Sequence, residues 1–302
     1  MASIKKMNFN HLVGQKVGTV TLLKELARGG MAVIFTAYQQ SLKRQIAVKI
    51  LPKSLVTPIA AKLFQQEAES AAILSHPNII PIYEVGETDD FLFFTMQLVN
   101  GQTLADLIDM AAKSLLSFHR VLPLDTTIHF VISVLDALGY AHSEDIIHRD
   151  IKPANIIIES HTKRPIITDF GIATVSRGEN LTKGVIAGTP VYMAPEEILR
   201  GGVDERTDIY ATGVVLFEML TSFLPLPAFK TARELLEMKL SLKDRLFTKK
   251  PSQMNQMIDP AMDNIVFKAL TYDPNNRYTN CQEFIQQLKA YLNRNVSNRF
   301  RG

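Results

Sequence analysis

The sequence predicts an α+β protein in two lobes, a small and mostly β lobe followed by a larger and mostly α one. Three observations carry that expectation. From Val17 to Leu98, short apolar stretches (VTLLKEL, AVIFTAY, QIAVKIL, FLFFTMQL) are separated by glycine and charge, which is the pattern of strands. After Gly101 the pattern lengthens to helical periods over Thr126–His142, Asp208–Leu220 and Asp263–Leu270. Finally, 302 residues with 46% hydrophobic and 21% charged side chains supply a packed core, which excludes a disordered chain or a fibrous repeat.

Within the first lobe one helix is expected, because Leu63, Glu67, Ser70, Ala71 and Leu74 recur at spacings of three and four. It should stop before His76-Pro77-Asn78, since proline disfavours helix in the residue preceding it. In the second lobe ATGVVLFEML is apolar nearly all round, so it is read as a helix buried in the middle of that lobe.

Composition narrows function by exclusion. With 33 Lys and Arg against 30 Asp and Glu, the net charge of +3 is small and spread along the chain, so no nucleic-acid partner is expected. The lone Cys281 excludes an internal disulfide and a CxxC site, and suits a reducing, cytoplasmic setting. The longest apolar run, Gly213–Leu220 with Glu218 inside it, is far short of the ~20 residues of a membrane helix, and the start MASIKKMNFNHLVGQK has no apolar signal region. No membrane contact is expected. The histidines show no HxxxH or HExxH spacing and are read as surface or core groups, not as metal ligands.

The chemistry is concentrated in His148-Arg149-Asp150-Ile151-Lys152-Pro153-Ala154-Asn155, followed 14 residues after Asn155 by Asp169-Phe170-Gly171. The first motif alone fixes six positions, so a chance match in one chain is on the order of one in a hundred thousand. These residues resemble the protein-kinase superfamily, specifically the Ser/Thr kinases of bacterial type that share the eukaryotic fold. The resemblance covers residues 19 to 291. It implies the bilobal protein-kinase fold, with a flank at 1–18, the N-lobe at 19–98, the C-lobe at 99–291 and a basic tail at 292–302. It also implies ATP and Mg2+ as reactant and cofactor, Ser/Thr-bearing proteins as substrates, and a transient homodimer for autophosphorylation in trans.

Phosphoryl transfer depends mostly on positioning and charge neutralisation around a loose transition state. By the resemblance, Asp150 orients the attacking hydroxyl and accepts its proton, and Lys152 offsets charge on the migrating group. Asn155 and Asp169 hold Mg2+, hard oxygen ligands suiting a hard cation. In Ile46-Ala47-Val48-Lys49, strand alternation puts Ala47 and Lys49 on one face. The resemblance then sets Ala47 against the adenine and Lys49 against the α- and β-phosphates, with Glu67 pairing to Lys49. Glu69 is the rival for that pairing; Glu67 is preferred because FxxEAxxxAxLxHPNI resembles the family pattern with that glutamate in place, and because its helix face carries Leu63, Ala71 and Leu74. The adenine pocket would have Leu26 and Ile34 as roof, Ile157 as floor, Met96 as gatekeeper, and Gln97 to Val99 as the hinge.

The phosphate loop departs from the family pattern. Leu26-Ala27-Arg28-Gly29-Gly30-Met31-Ala32-Val33-Ile34 keeps only the middle glycine, Gly29, while Ala27 and Ala32 occupy the first and third positions. A Cβ where backbone must approach phosphate costs about 1 kcal/mol, which would weaken ATP binding roughly five- to tenfold without abolishing it.

Gly188-Thr189-Pro190-Val191-Tyr192-Met193-Ala194-Pro195-Glu196 resembles the end of an activation segment, and with Lys152-Pro153 it is similar to Ser/Thr rather than Tyr kinases. Glu196 is expected to pair with Arg277, and Asp208 to brace the catalytic loop. Thr182 is the first candidate for a phosphorylated residue, with Ser176, Thr174 and Thr189 as alternatives; Arg149 supplies the cation that such a phosphate would meet. The alternative function is a pseudokinase-like nucleotide-binding interaction module, motivated by the two missing glycines. A small-molecule kinase is disfavoured by GTPVYMAPE and the long activation segment.

Overall fold

The computed structural model describes residues 8–29, 32–114, 120–170, 190–199 and 202–299. It divides into two compact units at Asn100/Gly101, and each is built around its own core.

The first unit is a six-stranded antiparallel sheet of β1 (Lys16–Val17), β2 (Val20–Arg28), β3 (Val33–Gln39), β4 (Arg44–Pro52), β5 (Ile82–Glu87) and β6 (Phe91–Met96), in the order β1-β2-β3-β4-β6-β5. Period-two alternation separates its two faces. Val20, Leu22, Val33, Phe35, Ala37, Ile46, Val48, Ile50 and Phe93 pack into one cluster on one side. The intervening Ile34, Ala47, Lys49, Phe94 and Met96 belong to the opposite face, where register makes Ile34 and Phe94 the cross-strand neighbours of Lys49 and Met96 that of Ala47. Helix α1 (Pro58–Ala72) lies on that second face, its Phe64 ring 5.0 Å from the ring of Phe94. Its start is built from local chemistry: Thr57 accepts from the Ala60 amide and Pro58 stands at the first helical position.

One expectation needs correction here. Residues 1–18 were expected to flank the lobe, yet Phe9, Leu12 and Val17 are members of its hydrophobic cluster. A short 3-10 turn, Asn10–Leu12, brings them in, and the Gly14 amide and the Gln15 carbonyl close onto the backbone of Leu22. The apolar side chains are too few and irregularly spaced to show a period, so only the packing shows that they belong to the core.

The second unit is mostly helical: α2 (Leu104–Ala112), α3 (Leu124–Ser143), α4 (Pro195–Leu199), α5 (Arg206–Thr221), α6 (Ala232–Leu242), α7 (Pro251–Met254), α8 (Pro260–Ala269) and α9 (Cys281–Arg299). As its composition predicts, α5 is buried along almost its whole length. Gly213 permits that packing, because a Cβ there would sit 2.8 Å from the Cβ of Ala269 on α8. A small sheet of β7 (Gly101–Thr103), β8 (Ile156–Glu159) and β9 (Pro165–Ile167) completes the unit. These strands are three or four residues long, too short for alternation to reveal them in the sequence. Among the described residues no helix is long and apolar enough to cross a membrane.

Candidate active site

The predicted residues fall into two groups, one in each unit. In the first unit Lys49 Nζ donates to Glu67 Oε1 at 2.6 Å and lies 5.4 Å from the centre of the Phe94 ring. Both side chains are less than one-fifth exposed, so this pair is screened less than a surface ion pair. Glu67 can reach Lys49 because Leu63, Phe64, Ala68 and Ala71 turn that side of α1 toward the sheet; Glu69 is exposed. Ala47 and Met96 are buried opposite one another, and the Gln97 amide donates to the Pro81 carbonyl at 3.1 Å, which anchors the start of the predicted hinge; Val99 is half-buried.

The phosphate loop is the tip of the β2–β3 hairpin. Ala27 pairs with Ile34 and Arg28 with Val33, and the Gly29 amide donates to the Ala32 carbonyl at 2.9 Å. The sequence expectation assigned glycine a conformational role here; the geometry assigns none to Gly29. Its φ lies outside the left-handed region, and an added Cβ would meet nothing nearer than the Ala32 carbonyl at 3.4 Å. The register shift between Glu25 and Ala27 is a bulge at Leu26, the predicted roof residue, whose side chain is half exposed.

In the second unit the catalytic loop hangs from one carboxylate. Asp208, in the first turn of α5, accepts from the backbone amides of His148 (2.9 Å) and Arg149 (2.8 Å) and from His142 Nε2 (2.8 Å). Burial pushes its carboxyl up, but these hydrogen bonds and the neighbouring imidazoles outweigh that and hold it below the usual range. The sequence gives His142 no role beyond that of a surface or core group. Its spacing of six residues before His148 carries no recognisable sign that both meet Asp208.

His148 is fully buried, and burial holds its imidazole below the usual range. Its partners fix the neutral tautomer: Nε2 faces the Thr168 carbonyl at 3.1 Å and so carries the proton, while Nδ1 accepts from the Asp150 amide at 3.2 Å. This ring therefore joins the loop to the segment bearing Asp169. Arg149 and Asp169 both have positive φ, 63° and 56°, in the left-handed region that non-glycine residues adopt uncommonly.

Two of the candidate residues, Lys152 and Asn155, converge on Asp150. Its Oδ2 accepts from Lys152 Nζ at 2.7 Å and from Asn155 Nδ2 at 3.0 Å, and Asn155 Nδ2 also donates to the Asp150 carbonyl at 2.9 Å. Two acceptors on that amide nitrogen orient Asn155, which leaves Oδ1 as its ligand atom. An amide oxygen here and the half-buried carboxylate of Asp169 form an oxygen donor set that fits Mg2+, a cation that takes few protein ligands and shares the rest of its shell with water and phosphate. Ile157, the predicted floor, is the half-buried residue between buried Ile156 and Ile158 on β8.

Glu196 and Arg277 form a buried bidentate pair at 2.7 and 2.8 Å. The remaining Arg277 donors reach the carbonyls of Thr271, Arg206 and Tyr272, so all five guanidinium protons are used. Thr174, Ser176, Thr182 and Thr189 lie outside the described residues.

Comparison with known proteins shows the family and the fold. The protein kinase domain family matches residues 20–290. The chain is 32% identical over 284 residues to serine/threonine-protein kinase PrkC of Bacillus subtilis (strain 168), covering 92% of this chain and 41% of that protein. It is 34% identical over 268 residues to a probable serine/threonine-protein kinase PknB of Lactococcus lactis subsp. lactis (strain IL1403), covering 87% and 40%. The chain thus spans about two-fifths of the length of these relatives. Among solved structures, the Mycobacterium tuberculosis PknI kinase domain superposes with a TM-score of 0.71 at 25% identity, over 92% of this chain and 98% of that one. Sequence and fold agree from the second strand to the last helix, and the chain belongs to the protein kinase domain family.

Proposed function

We propose that this chain is a protein serine/threonine kinase domain that transfers the γ-phosphoryl group of ATP to Ser/Thr hydroxyls of proteins. The observation that carries the reading is the Asp150 carboxylate held by both Lys152 and Asn155. A carboxylate so held has a defined direction and acts as the base for an incoming hydroxyl. The acceptor oxygen forms the new bond to the γ-phosphorus, the bond to the β-phosphate oxygen breaks, and the hydroxyl proton passes to Asp150. Lys152 offsets the charge on the transferred group, and Lys49, oriented by Glu67, neutralises the α- and β-phosphates. Leu26, Ile34, Ala47, Met96 and Ile157 supply apolar surface for the adenine, and Gln97 to Val99 supply backbone polar groups. Mg2+ bound with the nucleotide spreads phosphate negative charge, and Asn155 and Asp169 are the residues that would hold it.

Autophosphorylation within 174–189, by a second copy acting in trans, belongs to the same reading, as does a cytoplasmic setting in which Mg-ATP is abundant. The second reading, an interaction module with little transfer, is favoured by Ala27 and Ala32. Intact masses over time in Mg-ATP separate the two. Stepwise phosphate addition is expected for the wild type, with a loss of about 100-fold or more in Asp150→Asn. No transfer to itself or to a basic acceptor protein, together with weak nucleotide binding, would overturn the enzymatic reading.

A further inference from the structure

Lys239 on α6 is among the largest fully buried side chains of the protein, and no role in the chemistry above uses it. Its Nζ donates to the carbonyls of Val191 (2.6 Å) and Met193 (2.5 Å), and lies 5.2 Å from the centre of the Tyr210 ring. Residues 190–194 form no regular helix or strand, so these carbonyls have no ladder to join, and a buried carbonyl without a donor is costly. The same segment is pinned at two more points: Tyr192 Oη donates to Glu218 Oε2 at 2.6 Å, and the Ala194 amide donates to Glu197 Oε1 at 2.9 Å.

Tyr192 and Met193 line one pocket together with Arg149, Asp150 and Glu197. The wall beside the proposed base is therefore a short irregular segment whose backbone is tied down from beneath. A leucine or methionine would fill the space on α6 without burying an ammonium group, so packing alone does not account for a lysine there. Burial pushes this ammonium down to about 7, and the neutral amine keeps two N–H groups for the two carbonyls.

We propose that Lys239 is a positioning residue for the protein acceptor: by tethering the Val191 and Met193 carbonyls it holds Tyr192 and Met193 as the wall that presents a hydroxyl to Asp150. The inference rests on the kinase reading above. It acts on the acceptor and leaves the nucleotide contacts of Lys49 and Ala47 untouched, which separates it from a general loss of structure.

The test uses the full chain with a lysine-rich histone as acceptor. Lys239→Met is expected to raise the KM for histone about tenfold while the KM for ATP stays within about twofold. Lys239→Gln, which restores donors without charge, should recover part of that loss. Amide hydrogen exchange over 190–194 should rise in Lys239→Met. Leu236→Ala, which removes a buried side chain from the same helix, should lower stability without splitting the two KM values. Equal shifts in both KM values, or unchanged exchange over 190–194, would overturn the role of Lys239. A wild type that transfers no phosphate would instead overturn the kinase reading and the acceptor role with it, whereas transfer by the wild type with both constants unchanged in Lys239→Met overturns the positioning role alone.

Discussion

Lys49 sits in a strand whose neighbours Val48 and Ile50 face the apolar cluster, and alternation alone turns its ammonium to the other side, where Glu67 receives it. That placement was legible once the family pattern around Glu67 was read beside the strand alternation of Ile46 to Lys49 and the helix face sharing Leu63 and Ala71. Lys49→Met keeps the length and apolar bulk of the stem while removing the charge. We expect phosphate transfer to fall by about 100-fold or more with little change in melting temperature; retained transfer would rule out the assigned phosphate contact. Lys239 was equally legible in principle, because it follows Leu235 by four and Leu236 by three and so falls on the buried stripe of its helix. What the stripe cannot reveal is the partner, since the Val191 and Met193 carbonyls are more than forty residues away in the chain.

Helices of the second unit are held together by polar anchors as well as by apolar packing. The Glu196–Arg277 pair joins the start of α4 to the turn before α9, with Thr207 Oγ1 also donating to Glu196 Oε1 at 3.0 Å. Glu196→Gln leaves the arginine buried with its countercharge gone, and urea denaturation should show a loss of about 3 kcal/mol; a loss under about 1 kcal/mol would mean that solvent reaches Arg277. Lys239 makes a second anchor, with a pH signature of unusual sign. Burial lowers its folded value to about 7, opposed by Glu196 and Glu197 and assisted by Arg277. Above that pH the unfolded chain holds the extra proton up to its own value near 10.4, so stability rises with pH through this window, and it is lost as pH falls back toward 7. The unfolding free energy of the wild type minus that of Lys239→Met should therefore grow by at most about 1.4 kcal/mol per unit between about pH 7 and 9. A flat difference would show that the lysine stays charged.

Taken over the whole molecule, each unit draws on residues far apart in sequence to close its core. In the first, Phe9 and Leu12 complete a cluster otherwise made by the sheet, and Arg28 Cζ stands 5.3 Å over the Phe9 ring. Phe9→Ala should cost about 3 kcal/mol and lower the melting temperature; a change under about 0.5 kcal/mol would restore these residues to the status of a flank. The sequence by itself determined the order of the two units, the helix bearing Glu67 and the buried α5, and its resemblance to the kinases named Asp150, Lys152, Asn155 and Asp169 as the candidate reacting groups. All of these rest on periods or motifs that span a few residues. Only the tertiary structure decided that Phe9, Leu12 and Val17 are core, that Gly29 needs no special backbone, that Asp208 gathers His142 with the His148 and Arg149 amides, and that Lys239 ties down the segment before α4. Those outcomes depend on contacts between distant positions, where burial and the need to satisfy every buried polar group select the partner, and spacing along the chain carries no record of that choice.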